Sequence, residues 1–105
     1  MRPIQKTLSA AGVSVWVPVD YRQAPFEIGI GVALTAGANL TYTVEHTFDN
    51  IQDSTATINA YQNAGLTSKT VSDDGNYAFP VRAIRLNVTT YTGGSATMTL
   101  LQGQR

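Results

Sequence analysis

The residues able to do chemistry are few. His46 is the single histidine among 105 residues, and there is no cysteine. An imidazole titrates near neutrality, so base catalysis or metal ligation would have to draw on position 46. Both need partners: a metal wants further ligands, and a serine nucleophile wants an adjacent base that is itself oriented. His46 instead lies between Val44 and Phe48 on the apolar face of an alternating stretch, and is expected to be a packed or rim histidine. Glu45, Asp49, Asp53, Asp73 and Asp74 are the carboxylates that a glycosidase pair or a calcium site would use, but their spacing fits neither. Asp73-Asp74-Gly75-Asn76 lacks the alternating ligands and closing glutamate of a calcium loop, and its residue types predict a turn. The expectation is a protein that is not an enzyme and needs no metal or cofactor.

Composition narrows the partners. Seven Lys plus Arg balance seven Asp plus Glu, and charged residues make up 13% of the chain, about half the usual share of about 25%. Zero net charge gives no long-range attraction to phosphate backbones or anionic lipid, which argues against nucleic-acid and membrane partners. Low charge at zero net favours association with another protein or with itself. Without cysteine there is no disulfide framework, which suits a reducing compartment. No apolar stretch approaches the ~20 residues of a membrane-spanning helix. Asn39-Leu40-Thr41 and Asn87-Val88-Thr89 fit the glycosylation acceptor pattern and, with no signal-peptide pattern, are expected to be incidental.

Strands must position whatever surface does the work. Val13, Val15, Val17 and Val19 alternate with Ser14, Trp16, Pro18 and Asp20, the period of a strand with its valines in a core. Phe26, Ile28, Ile30, Val32 and Leu34 share one face of a second strand, and Leu40, Tyr42, Val44, His46 and Phe48 one face of a third. Ile84, Leu86 and Val88, then Ala96, Met98 and Leu100, repeat the pattern. Parity predicts two hairpins with odd-length loops, setting Val32 opposite Tyr42 and Ile30 opposite Val44, and Val88 opposite Met98 and Leu86 opposite Leu100. Residues 49–76 read as a long excursion with little regular structure. Short strands at this spacing, with no helical period, predict an antiparallel β-sandwich, jelly-roll-like, as one domain over residues 13–105 behind an amino-terminal arm of residues 1–12.

Trp16 falls opposite the valine face and so points away from the core. Gly29 and Gly31 bare one face of their strand. Tyr21, Tyr61, Tyr77 and Phe79 stand in or beside loops, where exposed aromatics serve an interface or sugar binding. With Arg2, Ile4 and Lys6 of the amino-terminal segment, and Arg22, they form the expected interface set. Arg82, Arg85 and Arg105 lie in the last third, after the final acid, an asymmetry that subunit pairing could use.

Trp16-Val17-Pro18-Val19-Asp20-Tyr21, Phe26-Glu27-Ile28-Gly29-Ile30-Gly31-Val32, Tyr42-Thr43-Val44-Glu45-His46-Thr47-Phe48-Asp49 and residues 76–88 together resemble small structural proteins of tailed bacteriophages, the capsid decoration or cement class. The resemblance runs from Val13 to Gln102. It implies a jelly-roll-like domain on the virion capsid surface, made in the bacterial host cytoplasm, that clamps major capsid protein and associates with itself as a homodimer or homotrimer. It carries over no active-site residue. The residues leave two alternatives open, a carbohydrate-binding module and another virion component such as a tail or fibre protein.

Overall fold

A computed structural model describes residues 3–22, 26–52 and 57–102. Nine strands follow one another: β1 (Ile4–Leu8), β2 (Gly12–Val13), β3 (Val17–Pro18), β4 (Ile28–Leu34), β5 (Asn39–Thr47), β6 (Tyr61–Gln62), β7 (Asp73–Tyr77), β8 (Ala83–Gly93) and β9 (Ala96–Gln102). Among the described residues there is no helix. The strands make two antiparallel sheets, β1-β9-β4-β7 facing β2-β8-β5-β6, with β3 also on β8. Every connection except β2–β3 and β5–β6 steps from one sheet to the other. That interleaving, with β2 and β3 as halves of one interrupted edge strand, is the jelly-roll form of a β-sandwich.

The alternating apolar sets meet between the sheets. Ile28, Ile30, Val32, Met98 and Leu100 come from one sheet and Leu40, Tyr42, Val44, Ile84, Leu86 and Val88 from the other, all buried. The strand partners, however, are exchanged relative to the predicted hairpins. Val32 opposes Met98 and Ile30 opposes Leu100 in the β4–β9 ladder, while Tyr42 opposes Val88 and Val44 opposes Leu86 in β5–β8. Both connections are arches between sheets, not hairpins within one. A hairpin would leave its two apolar sets side by side in one layer, still needing a cover; an arch sets them face to face and buries both.

The arches are stitched to each other. Thr35 N donates to Ser95 O at 3.1 Å and Ser95 N donates to Thr35 Oγ1 at 3.0 Å. Gly94 has φ +88°, and a Cβ there would lie 2.5 Å from the Ala38 Cβ, so only glycine fits. Because β8 and β9 each have neighbours on both sides, neither offers a free edge for another chain.

The first valine strand also departs from its expected form. Gly12 opposes Val88 and Val13 opposes Asn87, yet Val17 opposes Ile84, so residues 14–16 span what residues 85–86 span on β8. This is a bulge. Ser14 N donates to Leu86 O at 2.8 Å, and Leu86 N donates to Ser14 Oγ at 3.0 Å, the hydroxyl standing in for a ladder carbonyl. One extra residue inverts the alternation. Val17 and Val19 are buried as predicted, but Val13 and Val15 are 48% and 68% exposed and Ser14 is buried.

Two further expectations change. Residues 4–8, placed in the arm, are β1, an edge strand with Ile4 opposite Leu100, Lys6 opposite Met98 and Leu8 opposite Ala96. The Asp73-Asp74-Gly75-Asn76 turn is instead most of β7, paired with β4. Gly75 faces inward there, because a Cβ would come within 3.0 Å of Leu66 Cδ1.

Candidate functional site

The expected interface residues separate onto opposite long sides of the sandwich. Ile4 and Lys6 on β1, and Trp16 between β2 and β3, lie on the flank where those edge strands face each other. Tyr61, Tyr77 and Phe79 lie on the other flank, where β6 and β7 are the edges. Tyr21 and Arg22 belong to the end between them: the Tyr21 ring has the Arg22 and Arg82 guanidinium carbons 5.5 and 5.2 Å from its centroid. Arg2, Asp53 and Arg105 lie outside the described residues.

On the amino-terminal flank, Trp16 is half-buried and does face away from the core. Its cover is Arg85, whose guanidinium carbon sits 4.4 Å from the ring centroid. Arg85 Nε donates to Glu45 Oε1 at 2.7 Å, and Asn87 Nδ2 donates to Glu45 Oε2 at 3.1 Å. Glu45 and Arg85 oppose each other in the β5–β8 ladder, so Arg85 is neutralised within the chain. Beside Trp16 the bulge leaves Val13 and Val15 in solvent.

On the opposite flank, His46 leaves the apolar core at the end of β5 and collects rings around itself. Tyr61, its ladder partner, stacks on it at 5.9 Å and 27°, and Phe48, Tyr77 and Phe79 meet it edge-on at 5.5, 4.9 and 5.6 Å. Phe48, Tyr61 and Phe79 are each about half exposed, at 49%, 48% and 50%. His46 and Tyr77 are buried, and His46 Nδ1 lies 2.7 Å from the Tyr77 hydroxyl. Burial lowers the His46 pKa and raises that of Tyr77, so both are held neutral; with the imidazole proton on Nε2, Tyr77 donates to Nδ1.

A cleft of about 350 Å3 opens beside these rings, lined by His46, residues 62–65, Gly75, Asn76, Tyr77 and Phe79. Asn63 closes its floor: Nδ2 donates to Asn76 O at 3.4 Å, and Oδ1 accepts from Gly65 N at 2.9 Å. A smaller depression of about 180 Å3 adjoins Tyr21, Asp49 and Arg82.

Glu45 and His46 are consecutive strand residues and point to opposite faces. Among the described residues no three His, Asp or Glu side chains converge as metal ligands. Sequence reasoning missed Phe48 as a surface ring and Val13 and Val15 as surface residues. The Phe48 signal was its place one step past the last buried residue of β5; the valines had none, because alternation does not announce a bulge.

Neither a protein-family model nor a curated protein matches the chain. A solved structure from Bacillus, of endospore appendages that form a family of disulfide-linked pili, is similar in outline at 12% identity and a TM-score of 0.45, covering 94% of this chain and 82% of that one. At that score the likeness carries no weight.

Proposed function

We propose that the chain is a non-catalytic virion structural protein of the capsid decoration or cement class, seated on major capsid protein through its amino-terminal flank and associated with itself. The observation that carries this is the pair Val13 and Val15, turned into solvent beside Trp16 by the Ser14 bulge. Large aliphatic side chains grouped with a tryptophan on a surface are what a protein partner covers. The sequence resemblance, the zero net charge and the lack of an assembled catalytic group among the described residues support the same reading.

The test is fractionation of phage particles carrying the gene. The chain is expected in the full-capsid fraction and is expected to rebind shells from which it has been stripped, with Val15→Asp abolishing rebinding. Recovery with tails or fibres alone would move it to another virion role, and absence from particles would overturn the proposal.

A further inference from the structure

We propose that the aromatic flank is where two copies of this chain meet across a two-fold axis, with the Phe48, Tyr61 and Phe79 rings at the centre of the contact. The contact rests on the self-association proposed above and uses the flank opposite the capsid seat.

The three rings form one patch. The Phe48 centroid lies 5.6 Å from that of Tyr61 and 6.5 Å from that of Phe79, and each ring is about half exposed. An aromatic side chain buries about 150–250 Å2, so three half-exposed ones leave roughly 300 Å2 of ring surface in water. A lasting interface takes about 800 Å2 from each partner. The rings are therefore its centre, and the uncharged residues 62–65 and Asn76 beside them its polar rim.

Symmetry selects a second copy as the occupant. A two-fold axis sets a surface against itself, so a charged patch would meet its own sign. Here the cleft beside the rings is lined by no Lys, Arg, Asp or Glu. Asp49, next along the chain from Phe48, is turned to Asn59, whose N–H donates to it at 2.7 Å, and Glu45, next to His46, is ion-paired with Arg85 on the far face of the strand. Self-contact also needs a projection and a recess on one face. Phe48 and Tyr61 stand outside the cleft of about 350 Å3 while His46 and Phe79 line it, so rings and recess adjoin. Rings suit such a contact because the edge of one is attracted to the face of another.

Strand addition is disfavoured at both flanks. On β7, Asn76 O already accepts from Asn63 Nδ2. On β1, Lys6 shares the inward face with Ile4 and Leu8, a charge that guards an edge against a joining strand. Side chains therefore carry the contact.

The experiment is sedimentation equilibrium of the whole purified chain, without capsid, from micromolar to millimolar concentration. A reversible monomer–dimer equilibrium is expected, with amide NMR shifts on dilution confined to residues 48, 61–65 and 76–79. Phe48→Ala and Phe79→Ala should each raise the dimer dissociation constant about thirtyfold or more, Phe79→Tyr should keep it, and Tyr61→Lys, which sets two cations together across the axis, should leave only monomer. Circular dichroism melting shows that each variant is folded. Val15→Asp, on the other flank, should leave the dimer intact. The inference is overturned if the chain stays monomeric at millimolar concentration, if it forms a trimer, if folded Phe48→Ala and Phe79→Ala dimerise as the unaltered chain does, or if Val15→Asp breaks the dimer. A monomer that still rebinds stripped shells would overturn this contact alone; a dimer through these rings that binds no shell would uphold it and remove the capsid role.

Discussion

Along the amino-terminal flank the gap between the sheets is closed by Ile4 and Leu8, half-buried side chains of an edge strand, with Lys6 between them. Along the opposite flank it is closed by Leu66, which is fully buried although its segment is irregular. That segment is held to β5 as an edge strand would be: Val44 N donates to Leu66 O at 2.9 Å, and Tyr42 and Lys69 exchange backbone bonds at 2.9 and 2.8 Å. The first flank is regular in backbone and loosely sealed; the second is irregular and tightly sealed. Regular secondary structure and tight packing are therefore separable, and each flank exposes a different surface, aliphatic on one and aromatic with amides on the other.

The largest effect should come from unsealing the tight flank. Leu66→Ala removes a fully buried side chain that touches the Gly75 backbone, where no larger residue can fill the space. A loss of about 3 kcal/mol is expected, as for other buried leucines. For a domain of this size that lowers the melting temperature by about 12 °C or more, measurable by circular dichroism. A change under about 4 °C would mean that the irregular segment repacks and that the contrast between flanks is overstated.

The next effect tests the loose flank as a docking surface. Trp16→Ala removes a half-buried ring whose main partner in the chain is the Arg85 guanidinium, worth about 1 kcal/mol to the fold. An aromatic at the centre of an interface is worth about 2 kcal/mol or more, roughly thirtyfold in affinity. Capsid rebinding should therefore fall about thirtyfold while the melting temperature falls only by about 4–8 °C. Unchanged rebinding with a collapsed melting temperature would make Trp16 a core residue and remove it from the interface.

A smaller effect is expected from Ile4→Ala, where half-burial already concedes part of the transfer energy. About 1 kcal/mol should be lost, a third of the Leu66 figure, as read from the denaturant midpoint. Equal losses at the two positions would erase the difference in sealing.

These flanks were unequally legible in the sequence. Faces were recovered almost completely, because period-two alternation is a local property: the apolar sets of β4, β5, β8 and β9 are buried as assigned, except that Leu34 is half-buried and Phe48, just past β5, is half exposed. Partners were not, since Val32 and Tyr42 obey the same parity whether they pair in a sheet or face each other across the core. What decides is the direction in which the chain leaves Thr35 and Gly93, set by Gly37 at φ +77° and Gly94 at φ +88° and by bonds between two arches about sixty residues apart. At Val13 and Val15 even the face failed, because the Ser14 hydroxyl replaces a backbone acceptor and the strand gains a residue without losing its pattern. Tyr61, Tyr77 and Phe79 could be named as loop-side aromatics, but their convergence on His46 is a tertiary event.

Acid and alkali should both act on the aromatic flank. In the folded chain His46 is buried against Tyr77, with the Phe48, Tyr61 and Phe79 rings around it and Glu45 on the far face of its own strand. Its pKa is lowered by burial, whereas the unfolded imidazole takes up its proton near about 6.5. Between those two values the unfolded chain binds more protons, so stability falls as pH drops below about 6.5 and stops falling once the folded value is passed. For Tyr77 burial raises the pKa; the unfolded phenol ionises near about 10 and the folded one later, so stability falls again as pH rises above about 10. Tyr42, pushed up to about 12 by burial, adds to that alkaline limb. Asp73, held low by Lys69, brings a separate loss below the ordinary carboxylate range. A melting-temperature profile from pH 4 to 11 should therefore show a plateau between about 6.5 and 10. His46→Gln should remove the drop just below the plateau and leave the alkaline limb, while Trp16→Ala should lower the whole profile without changing its shape. If His46→Gln leaves the acid limb intact, the limb belongs to other groups and the buried neutral pair is not what distinguishes this flank.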